Sequence, residues 1–166
     1  PPNITEITSI TDEMVAGAPK IDSALKDFYD FAGDAVLVAH NAAFDTGFLK
    51  QWSQNCGMEY NFVHLDTLEL ARCTVEGVRN YKLDTLTKHF KVKLLNHHRA
   101  VDDAAATGEV FLELLALLDE HGIDNLKDVN TSLAGKVDIK SLRMYHCILL
   151  VQSQKGMRNL YNLISK

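Results

Sequence analysis

No long apolar run occurs in this sequence. Its most hydrophobic stretch, residues 111–118, is broken by Glu113 and falls far short of the roughly 20 residues that cross a membrane as a helix. No membrane is therefore expected as a partner. Cysteine is scarce: Cys56, Cys73 and Cys147 are widely spaced and form no C-x-x-C pair. That argues against a disulfide framework or a zinc ribbon and favours a reducing, cytoplasmic compartment. Positive charge is not in excess, since 17 Lys and Arg stand against 22 Asp and Glu. A protein that coats DNA by neutralising phosphates is not expected. An enzyme acting on nucleic acid stays open, because a metal site needs local carboxylates. Neither a heptad nor a Gly-X-Y period nor an internal repeat is present. Pro1-Pro2-Asn3 offers neither the basic start nor the apolar run of a secretory leader. What is present is ordinary globular composition, 46% hydrophobic and 23% charged, over 166 residues. That length allows one domain, or one and part of a second.

Apolar spacing predicts the elements. Ile4, Ile7 and Ile10 alternate with threonines as an extended or turning segment. Thr11-Asp12-Glu13 opens a short helix that Gly17-Ala18-Pro19 closes. Ala24, Leu25, Phe28, Phe31 and Ala32 lie at helical spacing, giving a helix over 22–32 ended by Gly33. Residues 35–39 are wholly apolar and predict a buried, parallel strand. A helix over 43–55 carries Phe44, Phe48 and Trp52 on one face. Residues 62–65 read as a strand running into Asp66-Thr67-Leu68-Glu69, a capping pattern that starts a helix. Leu83, Leu86 and Phe90 mark another helix. The longest spans 101–120, with Ala104, Phe111, Leu115 and Leu118 inward and Gly122 as its stop. This alternation predicts an α/β domain. Residues 124–142 are polar and weakly patterned, as in a linker. Residues 145–151 read as a strand and 156–164 as a helix, too little to bury a core.

Two constellations could carry chemistry. In Ala39-His40-Asn41-Ala42-Ala43-Phe44-Asp45, a strand ends and a helix begins. Asp45 then sits in the first helical turn at the C-terminal edge of a sheet, where α/β domains bind ligands. It could hold a metal or only complement the helix dipole. In His97-His98-Arg99-Ala100-Val101-Asp102-Asp103, His98 lies in a loop before the long helix, and Asp103 faces with Ala104 and Thr107. A neutral His beside a helix-borne carboxylate suits base catalysis at a metal site. The same residues could be an exposed loop and ordinary N-terminal helix charge. Asp66 reads as a helix cap. Arg79, Tyr81, Lys82, Lys88, Lys91 and Lys93 could meet DNA or simply face solvent.

Read together, these segments resemble the DEDDh 3'–5' exonucleases. Residues 39–45 resemble the second motif of that family and His98 through Asp103 the third. Asp66-Thr67-Leu68-Glu69-Leu70-Ala71-Arg72 resembles the stretch between them. Residues 7–19 look like the segment preceding the second motif, with Ser9 where Gly is usual. The resemblance covers residues 1–122. It is closest to the form carried by Gram-positive-type (PolC-type) DNA polymerase III alpha subunits. His97-His98-Arg99-Ala100 is similar to their third motif, and residues 145–165 look like the PHP domain resuming after an exonuclease insertion.

The resemblance implies an RNase H-like fold, a mixed five-stranded sheet flanked by helices, here expected to lack its first strands. Residues 1–122 would be the exonuclease domain, 123–143 a linker and 144–166 a fragment of a second domain. It implies a 3'–5' proofreading exonuclease that acts on a single-stranded or frayed 3' end of DNA. His98 would be the general base, Asp45 and Asp103 the metal ligands, and Asn41 and Phe44 the pocket for the terminal nucleotide. Two divalent cations, Mg2+ or Mn2+, serve the complete enzyme. The remainder of the polymerase polypeptide and replisome proteins would be partners. The first motif of the family is D-x-E, and no D-x-E occurs in this sequence. The chain is therefore expected to be a fragment, inactive alone and holding at most one cation weakly. A free-standing DEDDh nuclease, an epsilon-like proofreading subunit and a non-catalytic module of the same fold are the alternatives.

Overall fold

The computed structural model describes residues 5–6, 8–93, 100–133, 151 and 153–164. The chain divides into two compact units, Pro1–Lys136 and Val137–Lys166.

Where an extended or turning segment was expected, residues 5, 6 and 8 are helical, and the chain leaves them at Ser9, which has a left-handed φ of 58°. That conformation favours glycine, which accounts for the residue usual at this position in the resembling family. Helix α1 (Asp12–Val15) is capped by the Thr11 hydroxyl, which accepts from the Met14 N–H. Helix α2 (Ile21–Ala32) ends at Gly33, whose φ of 54° lets the chain turn without a Cβ clash. Strand β1 (Leu37–Ala39) pairs in parallel with β2 (His64–Asp66), and the register sets Leu37 beside His64 and Ala39 beside Asp66. Helix α3 (Ala43–Asn55) lies between these strands in sequence, and α4 (Thr67–Thr74) follows β2 directly. Helices α5 (Leu83–Phe90), α6 (Ala100–Glu120) and α7 (Leu126–Leu133) complete the described part of this unit.

Packing is organised by α6, which lies against α4, α5 and β1. Leu70 and Ala71 of α4, Leu86 of α5, and Val110, Leu114 and Leu118 of α6 form one buried cluster with Val75, Ile123 and Leu133. A second contact set joins α2 to α3. The Ser53 hydroxyl donates to the Leu49 carbonyl at 2.7 Å, so the Tyr29 hydroxyl, also 2.7 Å away, donates to Ser53. Phe28, Tyr29, Tyr60 and Phe62 stack edge-to-face around this bond, with Tyr29 and Phe62 centroids 4.7 Å apart.

Three expectations change. Strand β1 is half-buried along its length and Val36 is exposed, because the described sheet has only two strands. The antiparallel strand of a mixed sheet is not among the described residues. The inward face of α6 is Thr107, Val110, Leu114 and Leu118, whereas Ala104 and Leu115 are exposed. Of the expected stripe, Leu118 is in the core and Phe111 packs against it, while Ala104 and Leu115 give way to Thr107 and Leu114. Within the span read as linker, α7 forms and buries Leu133 in the core with Ile123 just before it.

In the second unit, α8 (Gln154–Ile164) forms where a helix was expected and starts two residues earlier than 156. Of the strand read over 145–151, residues 145–150 lie outside the described residues, and Val151 is in no regular element.

Candidate active site at the sheet edge

Parallel pairing brings the C-terminal ends of β1 and β2 side by side. The chain leaves β1 at Ala39 and passes through His40, Asn41 and Ala42 into α3. It leaves β2 at Asp66 and enters α4 at once. Asn41 has a φ of 65°, the left-handed conformation that asparagine tolerates better than most residues. The turn it makes brings Phe44 and Asp45 onto the first turn of α3.

The Asp66 carboxylate binds this turn from across the strand pair. Its Oδ1 accepts from the Asn41 N–H at 2.9 Å and from the Leu68 N–H at 2.9 Å. Its Oδ2 accepts from the Ala42 N–H at 3.0 Å. One turn away, His40 Nδ1 and the Thr67 hydroxyl are 3.0 Å apart, and Thr67 is fully buried and also reaches the Ala39 carbonyl. The Tyr81 main chain hydrogen-bonds the same ring. Burial lowers the His40 pKa, against the opposing pull of Asp66 and Tyr81.

Asn41 and Phe44 are exposed, Phe44 to 77%. Phe48 and Trp52 follow Phe44 on α3, with their rings 6.1 Å apart, and Phe48 is exposed too. On the face that carries these three rings, Phe44 and Phe48 are thus open and Trp52 is half-buried. Partial burial pushes the Asp45 carboxyl above its ordinary pKa. Its own backbone N–H opposes that shift, and the nearby Asp66 charge adds to it.

Asp103 lies one turn before Thr107 on the inward stripe of α6, the helix packed on β1. Its Oδ1 is buried and, among the described residues, has no hydrogen-bond partner. A buried carboxylate oxygen without a donor is costly unless a cation faces it. Asp45 is an exposed residue, but partial desolvation of its carboxyl and the nearby Asp66 charge both disfavour its ionised form. Both residues therefore fit as hard oxygen ligands for a divalent cation. Asp66 fits less well, because three backbone N–H groups already bond its two oxygens. Among the described residues no group of three or more His, Cys, Asp or Glu is placed to hold a metal. His97 and His98 lie outside the described residues.

Sequence reasoning found Asp66 as the cap of α4 but missed its bonds to the 41–42 turn, and it missed the His40–Thr67 pair. Tyr81 is half-buried against the core with its hydroxyl donating to the Val75 carbonyl at 3.3 Å, so it braces a loop. No helix among the described residues is long and apolar enough to cross a membrane.

Parallel strand ends, a helix N-terminus and the Asp45 and Asp66 carboxylates at one edge define the class: an α/β domain with a candidate site at the sheet edge. A family described as Exonuclease, RNase_T, matches residues 1–111, and the chain belongs to that family. The family implies an RNase H-like fold, with which the parallel pair and its flanking helices agree. The chain is also similar to DNA polymerase III PolC-type proteins. It is 49% identical to that of Caldanaerobacter subterraneus over 98% of this chain and 12% of the relative. For Clostridium perfringens the identity is 43% over 99% of this chain and 12% of the relative. For Thermotoga maritima it is 38% over 97% of this chain and 12% of the relative. The chain thus spans about one eighth of the length of these relatives.

Proposed function

We propose that this chain is the exonuclease segment of a PolC-type replicative polymerase in the cytoplasm. The polymerase would remove 3'-terminal nucleotides from a frayed DNA primer by hydrolysis. The observation that carries the reading is the buried Asp103 Oδ1, unpartnered among the described residues, on the helix beside β1, in a chain of the exonuclease family.

Asp45 and Asp103 would hold divalent cations together with carboxylates of the D-x-E type, which this sequence does not contain. When bound, such ions acidify the attacking water and stabilise charge on the leaving oxygen. The chain's own residues do the remainder. His98 accepts the proton of the attacking water on its neutral imidazole. The exposed Phe44 ring stacks on the terminal base, and Asn41 borders the same pocket. With two of the four family carboxylates, this chain alone does not hydrolyse DNA.

The test is made in the whole polymerase on a primer with a 3' mismatch. Asp45→Ala and Asp103→Ala abolish measurable excision and leave polymerisation intact. His98→Ala lowers excision about 10²–10⁴-fold, the usual contribution of a general base, and His97→Ala costs far less. If His97→Ala is the more damaging change, the base is misassigned. If the chain alone, supplied with Mn2+, shortens a 3' end, its proposed inactivity is wrong.

A further inference from the structure

The Asp66 carboxylate makes more bonds than a helix cap requires. Capping α4 takes one acceptor for the Leu68 N–H. The other two donors, Asn41 and Ala42, lie 25 and 24 residues away in sequence and belong to a different helix entry. They reach Asp66 only because the parallel register sets Ala39 beside it. The turn so held contains Asn41 in the left-handed conformation. A turn of that kind persists where its surroundings fix it. It is also the only covalent link between β1 and the residues Phe44 and Asp45.

We propose that Asp66 is a positioning residue for 3'-end hydrolysis: its carboxylate ties the Asn41–Ala42 turn to the start of α4 and thereby fixes where Asn41, Phe44 and Asp45 stand. The inference rests on the function proposed above and deepens it. It gives Asp66 no contact with DNA or metal, since its oxygens already serve backbone donors. A carboxylate suits the task because it accepts at both oxygens and donates at neither. Asparagine keeps Oδ1 for Asn41 and Leu68 but turns an amide N–H toward the Ala42 N–H. Serine reaches Leu68 as a normal cap and leaves both turn donors unbound.

These differences separate positioning from capping. In the whole polymerase, Asp66→Ser is expected to lower kcat for excision of a 3' mismatch about 10- to 100-fold, the cost of loosening a reacting group's placement. Polymerisation on a matched primer continues at the parent rate. Asp66→Asn restores part of the lost kcat. Amide exchange in the same protein becomes faster over residues 40–46 and stays slow over 67–74. An active parent whose Asp66→Ser form excises at the parent rate overturns the positioning role alone. So does equal loss of protection in both segments, because that is the result of a failed cap. A parent polymerase with no excision activity overturns the proposed function, and this inference with it.

Discussion

The His40 ring lies between Thr67 and the Tyr81 main chain, and burial lowers its pKa below the ordinary 6.5 more than Asp66 and Tyr81 raise it. The folded chain therefore prefers the neutral ring. As pH falls below about 6.5, the unfolded chain takes up the proton first and stability declines. The decline stops once pH passes the lower, folded-state value. Thermal midpoints of the chain at pH 7.5 and 5.5 should show this loss, and His40→Gln should reduce the difference between them. An unchanged pH dependence in the variant would assign the loss to another group. At this scale the motif residues were legible, since Asn41, Phe44 and Asp45 are read along seven consecutive positions. The partners of Asp66 were not. They lie 24 and 25 residues away, and only strand register brings them to it.

Helix α6 illustrates what periodicity delivers at the level of elements. Its existence, length and stop at Gly122 follow from the sequence, and Gly122 indeed turns with a φ of 72°. Its facing does not follow, because Leu112, Leu114, Leu115, Leu117 and Leu118 are apolar on several sides and admit more than one stripe. The structure buries Leu114 completely and leaves Leu115 36% exposed. Leu114→Ala should thus cost about 2–5 kcal/mol, as for a fully buried leucine. Leu115→Ala should cost less than about 1 kcal/mol. Urea unfolding of the two variants checks the phase, and a larger loss at Leu115 would restore the face expected from sequence. Helix α7 was missed for the opposite reason. Its few apolar residues, Leu126, Val129 and Leu133, are spaced at i, i+3 and i+7 among polar neighbours. Asn125 accepts from the Asp128 N–H at 3.1 Å at its start, and Leu133 completes the core from its end. A short amphipathic helix of this sort is hard to tell from a polar connector until the surface it covers is known.

For the molecule as a whole, the first unit leaves large apolar side chains in water. Phe31 is 90% exposed, Val63 67%, Phe48 57% and Val36 40%. Val36 and Val63 sit at the same end of the strand pair, where the Leu37 N–H donates to the Val63 carbonyl. A two-stranded sheet is marginal by itself, and its outer edges offer backbone groups to any strand that arrives. Monomeric proteins seldom leave apolar surface of this kind uncovered. The relatives carry the matching segment within far longer chains, of which it is 12%. Isolated from such a polypeptide, the chain should associate with itself through these residues. Sedimentation velocity over a wide concentration range should show species heavier than the 18.5 kDa monomer, increasing with concentration. Phe31→Ser and Val63→Thr remove apolar surface without touching the α4–α6 core or the sheet-edge site. Each should shift the population toward monomer, and the double variant further, with the thermal midpoint held. High salt separates this origin from charge pairing, because hydrophobic association persists or strengthens where exposed ion pairs are screened. A parent chain that sediments as a single monomer at every concentration would mean that the exposed apolar residues do not drive contact between molecules.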